Sequence, residues 1–588
     1  MESTTHRVGL VPLSLLALVV GAVTGLGAVV FRALIGLVHN ALFLGHWSAH
    51  YDANVFTPPS PWGALVILVP VLGAVVVTFL VTTFAPEARG HGVPEVMDAI
   101  YYNKGVIRPV VAVVKSLASA FAIGSGAAVG REGPIIQIGS ALGSTFGQVV
   151  PMMAAQRNLL VACGAGAGIA ATFNTPIGGV MFAIELMMPE VSVRTFLPVA
   201  LATGTATFIG RLFFGTQPAF MVPQLLPFTA DARSAVVLVL YGVLGALTGL
   251  AAASFIRGLH LLEDLFDHIR EPYTRHMLGM ALLGVMIYGL QRAFGHYYVE
   301  GVGYATIQAT LVGQLSSSWL LMLLFVCKLA ATSLSLGSGS SGGIFSPSLF
   351  MGATLGGAFA AFVHVLAPNL PIDVPAFAMV GMGAMVGGGT GAAMTAVTMI
   401  FEMTRDYDIV LPMIIAVALS LGVRRLLSFE NIYTFKLLRR GHYIPKALHA
   451  NMFLVRRARD IMLTDFYLTP GEVSLERFLT EHGGGPMRHV VVTDGERIAG
   501  VLRINTALRQ ISAESPARVP IKDIATTHFI IVHEDDQVAE VLERIEQGQA
   551  VMALVVRAQH APRPADITGV ITKEHIADSV AQSVRIYH

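Results

Sequence analysis

KSLASAFAIGSGAAVGREGPIIQIGSALG (115–143) and KLAATSLSLGSGSSGGIFSPSLFMGATLG (328–356) are two versions of one segment. At a constant offset of 213, Lys115, Gly124, Ser125, Gly126, Gly130, Pro134, Gly139 and Gly143 meet identical residues. A second register, at offset 217, pairs Gly164, Gly166 and Glu185 with Gly381, Gly383 and Glu402. Each version carries a glycine-rich break, then a proline close to the first turn of a new apolar helix. The unpaired N–H groups and positive dipole end of such a helix start favour an anion. Two halves broken at corresponding places are expected of repeat-built transporters, with the site at the repeat interface.

Composition says which solvent surrounds these segments. The chain has 588 residues, 54% hydrophobic and 13% charged, with mean hydropathy +0.66. The charge is unevenly spread, with 42 charged residues in 1–450 and 33 in 451–588. The first part is far below the soluble norm of roughly 25%, and the second is close to it. A large membrane part followed by a soluble tail is expected, and the net charge of +1 argues against a nucleic-acid partner. The apolar run at 8–30 is longer than the apolar core of a signal peptide and long enough to span, so it reads as a retained helix. Further runs lie at 62–84, 235–256, 351–370 and 375–401, whereas 277–290 and 409–423 look too short for a simple span. Short, broken helices at membrane depth are tolerated where they face protein or a water-filled cavity. Cys163 and Cys327 sit in apolar context and read as buried thiols.

The tail repeats as well. DIMLTDFYL from Asp460 aligns with DIATTHFII from Asp523, and GVLR from Gly500 with GVIT from Gly569. HVVVTDGERIAGVLR reads as two strands around a turn at Asp494 and Gly495. Arg424, Arg425, Lys436, Arg439, Arg440, Arg456, Arg457 and Arg459 flank the last apolar segment and place the tail in the cytoplasm.

Four motifs on this frame resemble the CLC family of chloride channels and chloride/proton antiporters, over essentially all of 1–445. GREGP (130–134) is similar to its gating-glutamate motif and GGIFSP (342–347) to its G-x-F-x-P motif. GHGVPE (90–95) stands where the family usually has G-S-G-I-P-E, and NIYTFKLL (431–438) looks like the segment with the pore tyrosine. The resemblance implies an all-α polytopic membrane protein of inverted repeats, halves about 1–215 and 235–445, followed by a cytoplasmic α/β CBS pair over 446–588 (about 456–512 and 519–585). It implies Glu132 as the gate. The anion-binding set is His91, Gly92, Arg131, Gly133, Gly343, Ile344, Phe345 and Tyr433. Chloride would be the transported ligand, without a resident cofactor or an enzyme activity. A homodimer with one pore per subunit would lie in the lipid bilayer of a plasma or bacterial inner membrane.

Two departures bear on mechanism. His91 replaces the family's serine; a neutral imidazole can donate one N–H, and a protonated one would add charge and pH sensitivity. In FNTPIGGVMFAIELM (173–187), Glu185 matches the first of two adjacent glutamates and Leu186 stands at the proton-relay position. Leucine carries no proton, so a passive, glutamate-gated chloride channel is expected, with a chloride/proton antiporter as the alternative. CBS copies that bind adenine nucleotides usually carry a Thr or Ser and an Asp three residues later. Here Arg503 and Thr506 occupy one pair of positions and Thr572 and His575 the other, so the ribose carboxylate is missing from both. GSGSSG (337–342) also fits a dinucleotide-binding pattern, but no acid follows at the required distance and the match lies in an apolar segment.

Overall fold

The computed structural model describes residues 8–188, 191–223, 232–442, 444, 457–482, 489–504, 519–557 and 563–576. Of the residues singled out above, Arg456 and Thr506 lie outside that set. The chain divides into two units, Met1–Ile444 and Pro445–His588.

Among the described residues, the first unit consists of two runs of eight α-helices and a short closing helix. The first run is α1 (Leu10–His39), α2 (Leu68–Phe84), α3 (Val93–Tyr101), α4 (Val110–Gly124), α5 (Glu132–Val149), α6 (Ala154–Phe173), α7 (Pro176–Phe182) and α8 (Val193–Phe214). The second is α9 (Ala232–Asp267), α10 (Pro272–Phe294), α11 (Tyr304–Leu311), α12 (Ser318–Ser338), α13 (Phe345–Leu366), α14 (Val374–Thr390), α15 (Ala393–Thr404) and α16 (Val410–Leu427). Helix α17 (Ile432–Arg439) closes the unit. The runs match in packing, with α5 on α6 as α13 is on α14, and α1 on α8 as α9 is on α16. The repeated glycines explain why. A Cβ on Gly139 would stand 2.2 Å from the carbonyl oxygen of Gly164, and one on Gly352 would stand 2.3 Å from that of Gly381. Only glycine lets these helix backbones touch, and both halves keep it.

Among the described residues, eight helices are long and apolar enough to cross a bilayer. Two segments that looked too short are among them. The run at 277–290 is the middle of α10, which Pro272 starts and Gly295 ends, and the run at 409–423 extends through Arg424 and Arg425 to Leu427. Polar residues at their ends do not stop the helices, because those ends are where a span meets water. The apolar run at 375–401, in contrast, is two helices. Gly391, at φ +77°, ends α14 before α15 begins.

The second unit contains two copies of one arrangement. Helix α18 (Ala458–Ile461) leads into β1 (Tyr467–Pro470), α19 (Leu475–His482), β2 (His489–Asp494) and β3 (Arg497–Arg503). The second copy has β4 (Phe529–His533), α20 (Val538–Gln547), β5 (Met552–Val556) and β6 (Ile567–Ile571). Each sheet pairs its first two strands in parallel and the last two antiparallel. Gly495, at φ +59°, makes the expected turn between β2 and β3. The copies exchange lead-in segments. Leu463 pairs through both backbone bonds with Val570 of the second sheet, and Thr526 pairs in the same way with Val501 of the first. Val491, Val501, Leu554 and Val570 bury a core that the two sheets share.

Candidate functional site

The breaks of the two halves meet inside the first unit. Gly130 and Gly343 exchange both backbone hydrogen bonds, at 2.7 and 2.6 Å. Gly90 N–H donates to Ser340 O at 3.1 Å, and Gly342 N–H donates to Gly90 O at 3.2 Å. Glycine is required at the crossing, because a Cβ on Gly133 would lie 2.2 Å from His91 O. Two wholly buried lysines hold the loops. The Lys115 ammonium donates to the carbonyls of Ala88 and Gly90 at 2.9 and 2.7 Å. Lys328, its repeat partner, donates to those of Val299 and Gly301, both at 2.8 Å. These two identical residues therefore do the same work in each half.

Glu132 opens α5 and is wholly buried. Its carboxylate reaches across the repeat boundary, where Oε2 accepts from Ser346 N–H at 3.3 Å. Ser346 is the second residue of α13, so the carboxylate occupies a helix N-terminus with its unpaired donors. Oε1 accepts from the hydroxyl of Tyr304, which is 2.9 Å from Ser346 Oγ. Sequence reading missed Tyr304. It is the first residue of α11, in a stretch (GVGY) that matches GHGV of the first half only through the fold.

The remaining candidates surround this point. Arg131, 9% exposed, stacks its guanidinium over the Tyr304 ring at 5.0 Å, and its Nε has no partner. Ile344 and Phe345 lead into α13 and are buried, as are Gly133 and Gly343. Gly92 caps α3 with φ +83°. Tyr433 is fixed by the capping of α17, in which Asn431 Oδ1 accepts from Tyr433 N–H and Thr434 N–H at 2.9 and 2.8 Å. Glu95 of α3 binds Lys436 at 3.3 Å and Arg440 at 2.7 Å, tying α17 to the GHGVPE segment. The Tyr433 ring then lies 6.0 Å from that of His91. His91 is 1% exposed and neither ring nitrogen has a hydrogen-bond partner. Charged groups stand close to it: the adjacent Gly90 carbonyl binds the Lys115 ammonium, and a Cβ on Gly90 would lie 2.9 Å from Lys436 Nζ, which pairs with Glu95.

Cavities approach from two sides. One, of about 520 Å³, is lined by Arg32, Arg131, Arg211, Asn174 and Tyr304. The other, of about 760 Å³, is lined by Arg89, Gly90, Gly339, Lys436 and Arg440. The first mouth is rich in cations, whereas Glu87, Glu95, Glu263 and Asp267 stand among the cations of the second; the Glu132 seat lies between Arg131–Tyr304 and the Gly339–Gly343 loop.

The model of the family described as voltage gated chloride channel matches residues 73–425. The chain belongs to that family. A putative chloride channel protein ClcB-like of Ralstonia nicotianae is 35% identical over 367 residues, which is 60% of this chain and 81% of that protein. An H(+)/Cl(-) exchange transporter ClcA of Salmonella arizonae is 33% identical over 420 residues, 71% of this chain and 85% of its own. The structure of a slow cyanobacterial Cl-/H+ antiporter superposes with a TM-score of 0.63 at 26% identity, over 73% of this chain and 97% of that one. A eukaryotic CLC transporter shares the fold over 96% of the chain, with a TM-score of 0.59 at 20% identity. A CBS domain model matches 521–582, the second copy of the tail.

In this CLC chain the segment with Glu185 and Leu186 caps a helix of the other half. Helix α7 ends at Phe182 and 183–187 winds as a π-helix. Glu185 caps α15, accepting from Met394 N–H, Thr395 N–H and the Thr395 hydroxyl at 3.2, 2.8 and 2.8 Å. Glu402, its repeat partner, caps α7 through Ile177 N–H and Gly178 N–H at 3.1 and 2.6 Å. The contacts are reciprocal, as a two-fold relation between the halves requires. Leu186 is 8% exposed and offers no titratable group.

Two of the tail positions singled out in the sequence are engaged within the protein. His575 stands where a ribose-binding carboxylate belongs, with Nε2 2.6 Å from Ile461 O, and Arg503 pairs with Glu574 at 2.9 Å.

Proposed function

We propose that the protein conducts chloride passively across the membrane through one pathway per subunit of a homodimer, gated by Glu132. The family places the chain among integral membrane transporters and channels for anions. The observation that carries the gate is the Glu132 carboxylate seated on the N-terminus of α13, beside the cation-lined cavity of Arg32, Arg131 and Arg211. Protonating that carboxylate or displacing it with an anion would open the seat, which makes conduction pH-sensitive. Ile344 and Phe345 would offer backbone N–H groups, Tyr433 its hydroxyl and His91 a neutral N–H, while Arg131 would attract anions from the smaller mouth. Gly92, Gly133 and Gly343 let the loops approach. The basic residues after α16 support a cytoplasmic tail in a plasma or bacterial inner membrane.

Passive conduction is favoured because Leu186 holds the relay position and Glu185 is engaged as a helix cap. Exchange is the second reading, since several relatives are named H(+)/Cl(-) exchange transporters. Reversal potentials in chloride and proton gradients separate the two. The potential should follow chloride alone. A potential displaced by the proton gradient at a fixed ratio would establish exchange.

A further inference from the structure

We infer that Tyr304 is a latch on the gate, a positioning residue whose hydroxyl holds the Glu132 carboxylate in its closed seat. This rests on the reading of Glu132 as the gate. The geometry is built from the second half of the chain. Gly303, at φ +79°, caps α11, and a Cβ there would stand 2.6 Å from the Phe350 ring. That tight seat puts Tyr304 first in α11, where it is 2% exposed. Phe220 meets the phenol ring edge-on at 5.3 Å, and Phe173 packs against it at 6.3 Å. A ring so enclosed has few orientations, and this one aims its hydroxyl at Glu132 Oε1.

When the carboxylate is ionised, the hydroxyl's bond to it is charge-assisted, and such bonds are the strong ones. It thus stabilises the ionised, seated form over both the protonated form and the vacant seat. Other charged and titratable groups face the pair. Arg131 lies over the phenol ring, Arg32 of α1 stands beyond it, Lys328 comes from α12 and Tyr433 from α17. Among the described residues, Tyr304 is the one side chain that hydrogen-bonds to the carboxylate, while Ser346 contributes its backbone N–H. In the first half, Val93 holds the corresponding place at the start of α3 and has no such group. The latch is therefore an asymmetric addition to a symmetric frame.

Tyr304→Phe keeps the ring and removes the donor. In liposomes, the pH at which chloride flux is half-activated should rise by about one unit, and the half-saturating chloride at neutral pH should fall about tenfold. Maximal flux should change little, which a general packing defect would not spare. Glu132→Gln with Tyr304→Phe should behave as Glu132→Gln alone. Should Tyr304→Phe not yield monodisperse protein, Ser346→Ala, which removes the hydroxyl 2.9 Å from the phenol oxygen, should shift the same two quantities in the same direction. If Glu132→Gln alters flux but Tyr304→Phe leaves both quantities at wild-type values, the latch is overturned and the gate stands. If Glu132→Gln is itself without effect, the gate falls and the latch with it.

Discussion

Glu132→Gln should raise chloride flux at neutral pH by roughly 10- to 100-fold and remove most of its pH dependence. The carboxylate competes for the helix terminus because it is an anion. It accepts from Ser346 N–H and the Tyr304 hydroxyl, with Arg131 close by. Hydrogen bonds to a charged group contribute about 1.5–3 kcal/mol each, and neutral ones roughly half as much. Glutamine keeps the shape and loses the charge, so the seat weakens by one or two factors of ten while chloride keeps its own affinity. Stopped-flow chloride efflux from liposomes across pH 4.5–8, set here as about the usable range, reads both effects. An unchanged profile would take Glu132 out of the mechanism.

Lys115→Met and Lys328→Met should each be strongly destabilising, and by similar amounts. Each ammonium is wholly buried and binds two backbone carbonyls of a loop in its own half, Lys115 the one before α3 and Lys328 the one before α11. Methionine matches the length and leaves both carbonyls unsatisfied, at about 1–3 kcal/mol apiece. Part of that is returned because no charge need be desolvated. The apparent melting temperature of the purified protein should fall by several degrees, and flux should be lost as these loops deform. A melting temperature within a degree of wild type would show that the lysines do not support the loops.

The repeat, the glycine and proline pattern and the change of composition near residue 450 made most of the architecture legible. Helix ends were less so, since α10 and α16 begin or end among polar residues that a hydropathy run does not count. Gly391 broke a run that looked continuous because a positive φ leaves no trace in hydropathy. The site was legible wherever a motif was local. Tyr304 was not, because it acts on a residue 172 positions away, and nothing near it in sequence marks it. Glu185 and Glu402 were seen as a matched pair, but their partners lie more than 200 residues off in the opposite half. The charge around His91 was not legible for a similar reason, since Lys115 and Lys436 come from distant segments.

The central claim is that Glu132 occupies an anion's place on α13. Bromide soaked into crystals of wild-type protein and of Glu132→Gln at neutral pH, located by its anomalous scattering, tests this most directly. A bromide site within hydrogen-bonding distance of Ser346 N in the variant, empty in the wild type, is the predicted result. Equal occupancy in both, or none at that position in either, would contradict it.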